Sequence, residues 1–178
     1  MRTTRTKNGL ILAFSPLESR ILQQILRRIV ANYQAKPEDL DPKGAAAWYS
    51  TRGCERAKMS AEETREWLET LHEYKSANVE HLIQWSRRLA MMKAGKCRLS
   101  LKVEGASVLL TALNDHRLLV AAQHDIGQNQ MDARMLDALD RLDPVQQRAL
   151  SKIHFLACII EEILRFLPGA PGDWMIEG

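Results

Sequence analysis

The stretch LLTALNDHRLLVAAQHDI, residues 109–126, sets Asn114, Asp115 and Arg117 inside a run otherwise rich in Leu, Ala and Val. An amide, a carboxylate and a guanidinium can hold an ionic ligand, orient a reacting group, or tie one helix to its neighbours. Successive helix residues are about 100° apart, so Asp115 and Arg117 project to different sides and do not pair with each other. Asp115 shares a stripe with Val108, Ala112, Leu119 and Ala122, and Arg117 shares one with Leu110, Leu113, Val120 and Ala121. Both head into apolar surroundings, where a lone charge is costly, so each needs a partner on another element. Glu161 and Glu162, within CIIEEILRFL, are the acids expected to meet Arg117. An arginine or the NH groups of a helix N-terminus are expected at Asp115. Asn114, Asp115, Arg117, Glu161 and Glu162 thus form the candidate structural network or partner site. The structural reading leads, because a compact catalytic site needs its groups to converge.

Other chemistry is thin. The chain has no Gly-rich phosphate loop, no GxSxG elbow and no HExxH, so no catalytic residue is assigned. ETLH at 69–72 sets Glu69 and His72 at the i, i+3 spacing of carboxylate-bridged metal bundles. Those bundles need a second such pair. The residues three before His81, His116, His124 and His154 are Asn78, Leu113, Ala121 and Ser151, none of them acidic. No metal and no cofactor are therefore expected, and each histidine reads as a structural group with its hydrogen bonds satisfied. Cys54, Cys97 and Cys158 form no CxxC pair, an odd and scattered set that suits a reducing compartment. Cys158, on an apolar helix, is expected to be an inert buried thiol.

The elements that must position these groups are mostly helical. SPLE at 15–18 is a capping box with proline at the first helical position, and the stripe Leu17, Ile21, Ile25, Ile29 behind it predicts a helix to about residue 35. A loop follows, with one short helical turn near Ala45–Tyr49 and with Trp48 and Tyr49 pinned to the core. SAEE at 60–63 is a second capping box. After it, Trp67, Leu71, Tyr74, Leu82, Trp85, Leu89 and Met92 predict one helix of about 35 residues, or two with a bend near Ser76–Asn78, stopping at Gly95. DPVQ at 143–146 starts a last helix that is apolar on two faces and ends at Pro168 and Gly169. Gly9–Phe14 and Cys97–Val103 alternate in polarity and are expected to pair as a small ribbon. The fold class is mainly α, a bundle of about four to five helices with a two-stranded β ribbon. Its 178 residues suit a single helical domain, with residues 1–14 an N-terminal arm and strand and 168–178 a tail whose Trp174 docks back.

The net charge of +3 hides an asymmetry: residues 1–36 hold seven Lys or Arg and one acid. Arg2, Arg5 and Lys7 flank one expected strand, and Arg87, Arg88, Lys93, Lys96, Arg98 and Lys102 flank the other. If the strands pair, the two clusters converge into one basic patch. The apolar run Leu10–Phe14 is too short for a signal peptide, and no stretch reaches the roughly 20 apolar residues of a membrane span. A soluble, cytoplasmic protein with no membrane partner is expected.

ALNDHRLLVAAQHDI resembles the ALND-x-RL core of an uncharacterised bacterial family of unknown function, with matches at Ala112, Leu113, Asn114, Asp115, Arg117 and Leu118. The likeness extends to NGLILAFSPLES near the N-terminus and to the apolar last helix. Genes of that family commonly lie beside the gene for ClpS, the adaptor of the Clp protease. The resemblance supplies no activity; it implies a protein-interaction or regulatory module, with the Clp-adaptor system as one partner. A homodimer is a further expected assembly, and an enzyme built around Asn114, Asp115 and Arg117 is the third reading, which needs a pocket opening onto those groups. The rival reading is a nucleic-acid-binding regulator using the basic patch. It is disfavoured because no DNA-reading module is recognisable and the total charge is modest.

Overall fold

The computed structural model describes residues 1–7, 9–91, 97–132 and 142–167. The chain opens with two antiparallel strands, β1 (Arg2–Thr6) and β2 (Gly9–Phe14), and β2 pairs on its other side with β3 (Cys97–Leu101). The expected ribbon is there, with Leu12 opposite Leu99 and Leu10 opposite Leu101. It is nevertheless part of a three-stranded sheet, because the expected N-terminal arm is itself a strand. RTTRT carries no apolar alternation, and what recruits it is the edge of β2, along which it pairs from Arg2 opposite Ala13 to Thr6 opposite Gly9. Gly9, at φ +158°, lets β3 come close: a Cβ there would lie 2.1 Å from the Leu101 carbonyl oxygen. Leu10, Leu12, Phe14, Leu99 and Leu101 bury one face of the sheet.

There are five long helices among the described residues, α1 (Pro16–Gln34), α4 (Ala61–Ala77), α5 (Val79–Met91), α6 (Val103–Gln123) and α8 (Pro144–Phe166); α1, α5 and α6 contact the sheet, α4 packs on α1 and α5, and α8 packs on α6. Shorter ones are α2 (Pro42–Trp48), α3 (Arg52–Arg56) and α7 (Gln128–Asp132), so the segment after α1 is more helical than a loop. All three capping boxes form, at Ser15 with Glu18, Ser60 with Glu63, and Asp143 with Gln146. The long periodic segment is two helices meeting at Asn78, whose side chain donates to the Tyr74 carbonyl at 3.0 Å. Helices α6 and α8 run antiparallel. The end of α6 meets the start of α8 where Val120, Ala121 and Ile126 pack on Ala149, Leu150 and Ile153. The larger core is built around Leu22, Leu26, Leu82, Leu109, Leu113 and Leu156. No helix among the described residues is long and apolar enough to cross a membrane. The expected stop at Gly95, the helix end at Pro168 and Gly169, and the docking of Trp174 lie outside the described residues.

Candidate functional site

Helix α6 aims Asp115 at a point where three other helices end. Tyr33 is in the last turn of α1, Trp48 closes α2, and Lys75 is in the last turn of α4. The Lys75 ammonium forms an ion pair with Asp115 Oδ2, and the Tyr33 hydroxyl donates to the same oxygen at 2.7 Å. Lys75 Nζ sits 5.4 Å from the ring centroids of both Tyr33 and Trp48, which meet edge to face at 5.3 Å. Trp48 Nε1 donates to the Asp115 backbone carbonyl at 2.6 Å, and Ser76 Oγ donates to the Tyr33 carbonyl at 3.0 Å. The negative ends of the converging helix dipoles, the carboxylate and two aromatic faces all favour one buried cation. Burial and the neighbouring Asp115 carboxylate raise the Tyr33 pKa, keeping its hydroxyl a donor. Outside this cluster, Tyr49 Oη lies 3.2 Å from His72 Nδ1.

Asp115 therefore has its buried partner, and that partner is a lysine and a tyrosine rather than an arginine or a helix N-terminus. Lys75 escapes a sequence reading that puts Trp67, Leu71 and Tyr74 inside. The inward face of α4 is instead Leu68, Leu71 and Lys75, with Trp67 and Tyr74 exposed. The expected contacts of Arg117 are not made. Glu161 bridges to Arg165 at 3.8 Å, and Glu162 bridges to Arg165 at 2.7 Å and accepts from Thr3 Oγ at 2.6 Å. Helix register explains the correction. Arg117 lies one turn before Val120, level with Ile153, and Glu161 is about 12 Å further along α8 at 1.5 Å per residue. Arg117 Nε is buried without a hydrogen bond, and the Asn114 side chain makes none among the described residues. The five candidate residues thus do not converge. Surface clefts of about 710, 470, 450 and 220 Å³ are lined by none of Asn114, Asp115 and Arg117.

A different constellation lies between α1 and α8. His116, on α6, is 1% exposed, and both of its ring nitrogens lack partners. His154 Nε2 is likewise unpartnered, so these two histidines are not the satisfied groups expected. Burial, then the nearby Lys152 and Arg28, push the His116 pKa down to about 3, so the ring is neutral. Burial and Arg28 also lower the Lys152 pKa. Above them runs the 470 Å³ groove, with Ile21 and Gln24 on one wall and Arg148, Ser151, Lys152 and Phe155 on the other. Leu17, on the same stripe of α1, is 67% exposed. Arg28, Arg148 and Lys152 form no ion pair among the described residues. The sequence holds the signal: α1 has no acid after Glu18, and α8 has none before Glu161.

The basic clusters converge in part. The registers place Arg2 and Arg98 on either side of Ala13, on the sheet face away from the core. Arg87 instead faces Arg27 across α1 and α5, while Lys93 and Lys96 lie outside the described residues. Glu69 approaches Arg65, 3.9 Å away, and His72 faces Tyr49. Among the described residues no three of His, Cys, Asp and Glu group as metal ligands would. Cys158 is exposed, not buried: it falls on the outer side of a helix whose inward stripe is Leu156, Ile159 and Ile160.

The profile of the family described as Domain of unknown function (DUF2017) matches residues 1–167. The chain belongs to the DUF2017 family. No curated protein and no solved structure matches it. Membership in DUF2017 spans every element described above, the Asp115 cluster and the α1–α8 groove included.

Proposed function

We propose that this DUF2017 protein is a non-catalytic interaction module that docks an acidic, apolar-anchored segment of another protein in the α1–α8 groove. One observation carries the reading: Arg148 and Lys152, without an ion pair among the described residues, line the groove beside half-buried Ile21 and Phe155, with Arg28 close enough to Lys152 to lower its pKa. Unpaired like charges held together raise each other's energy, and an acidic partner relieves that while its apolar side chain covers the other half of the groove. A groove flanked by two helices suits an amphipathic helix as the guest. The likeness of the ALNDHRL core to a family encoded beside the Clp adaptor makes a component of that proteolytic system the first partner to try.

The test is a pull-down from native lysate with the wild type beside Arg148→Glu with Lys152→Glu, followed by mass spectrometry. A partner held by the wild type and lost on charge reversal, with the circular dichroism spectrum unchanged, is the expected result. An identical set of captured proteins overturns the groove as the docking site. The row Arg2–Ala13–Arg98 favours nucleic acid as a second reading. That reading requires binding that weakens steeply with salt and falls on Arg2→Glu with Arg98→Glu.

A further inference from the structure

On a neighbouring face of α1, Arg27 and Arg87 of α5 line a cleft of about 220 Å³ together with Ser86, Val30 and Ile83. Neither guanidinium forms an ion pair or hydrogen bond among the described residues. Ser86 is 5% exposed and lines the cleft, yet its hydroxyl makes no hydrogen bond, not even the turn-to-turn bond that Thr70, Ser107 and Ser151 make to their own helices. The acids on these helices lie elsewhere. Glu18 meets the N-terminal ammonium, and Glu80, two turns before Arg87, accepts from Gln84.

We propose that the Arg27–Ser86–Arg87 cleft is a binding site for a phosphoryl group. Two guanidiniums and the side chain of Ser86 line a space too small for a drug-sized ligand, whose pockets run from about 300 Å³ upward, and adequate for one tetrahedral oxyanion. Each planar fork can meet two phosphate oxygens, and the pair of positive charges matches a dianion. Ser86 supplies a donor to a third side of the group. Val30 and Ile83 exclude water from part of the cleft and so strengthen those contacts. A phosphoryl group in the cleft would neutralise the two guanidiniums and accept from the Ser86 hydroxyl at once. The site is independent of the α1–α8 groove and shares no residue with it.

Titration with inorganic phosphate, at ionic strength held constant with chloride, tests this by calorimetry and by phosphorus NMR. Saturable binding at one site is expected, weakened at least about tenfold by Arg27→Gln with Arg87→Gln and about tenfold by Ser86→Ala, the loss typical of a hydrogen bond to a charged group. Arg52→Gln with Arg56→Gln on α3 removes the same charge away from both the cleft and the groove and is expected to leave affinity within about twofold. All these arginines are exposed, and far-ultraviolet circular dichroism confirms that the variants fold. Glycerol 3-phosphate in parallel distinguishes the source: tighter binding than inorganic phosphate assigns the site to an esterified phosphoryl group, and weaker binding to the free ion. No saturable binding by the wild type, or equal weakening by the two double variants, overturns the proposal.

Discussion

Lys75 and Asp115 are where single side chains decide most. Their side chains are 6% and 14% exposed, so the pair is buried, and removing one member strands the other in a low-dielectric interior. Lys75→Ala is expected to cost about 3–5 kcal/mol in urea unfolding, against roughly 5–15 kcal/mol for a whole domain. Lys75→Met with Asp115→Leu and Tyr33→Phe is expected to recover most of it, since a matched apolar cluster leaves no orphaned charge. A triple variant as unstable as the single one would show that the helix ends need the charges themselves. His116 gives a pH signature. Its folded pKa, about 3, lies below its ordinary value of 6.5, so between these limits the unfolded chain holds the extra proton. Its contribution is intact above pH 6.5 and is lost as pH falls toward 3, about 1.4 kcal/mol per unit, or about 2 kcal/mol at pH 5. Urea midpoints at pH 5 and 7 measure this, and His116→Leu is expected to flatten the difference.

At the scale of elements, most of the architecture was legible in the sequence. Capping boxes are local: Ser15, Ser60 and Asp143 each need only a residue three positions on, so the helix starts could be read directly. The β2–β3 pairing was legible because both strands alternate. What was hidden depends on neighbours. Lys75 fits the inward face of α4 because its long apolar stem can be buried while its ammonium finds Asp115, which no periodicity reveals. The Arg117 error arose because composition names Glu161 and Glu162 but not the antiparallel offset of α6 and α8. Helix α2 shows a further device: a Cβ on Gly44 would lie 2.6 Å from Leu119 Cδ1 and 2.7 Å from Asp41 Oδ2. That approach lets α2 lie on α6 so that Trp48 reaches the Asp115 carbonyl. Gly44→Ala is expected to push α2 outward at a cost of about 1–3 kcal/mol, with a shift in near-ultraviolet circular dichroism from the aromatic cluster. An unchanged spectrum and midpoint would mean that α2 tolerates the displacement.

Over the whole molecule, charge is sorted by helix rather than spread. Helix α4 presents Glu62, Glu66, Glu69 and Glu73 to solvent, whereas α1 presents Arg20, Arg27 and Arg28. Net charge alone, at +3, conceals both surfaces. The groove and the phosphoryl cleft lie on neighbouring faces of α1, and their cations, without ion pairs among the described residues, weaken the isolated protein while favouring anionic guests. Lys152→Met is expected to raise the urea midpoint slightly, by a few tenths of a kcal/mol in stability, because it removes a partly buried, unmatched charge. A lower midpoint would mean that Lys152 has a stabilising partner.

The seating of β3 beside β2 also governs how the chain reaches its folded state. Phe14 and Cys97 are partners separated by roughly eighty residues, so this edge closes only after a long loop has been gathered in. Helices α1 and α5 lie within that loop and pack on each other, and their docking shortens the distance left to close. Collapse of the helices should precede the zipping of the sheet. Stopped-flow refolding of Leu26→Ala is then expected to be slowed, whereas Leu99→Ala, deep in β3, should mainly hasten unfolding.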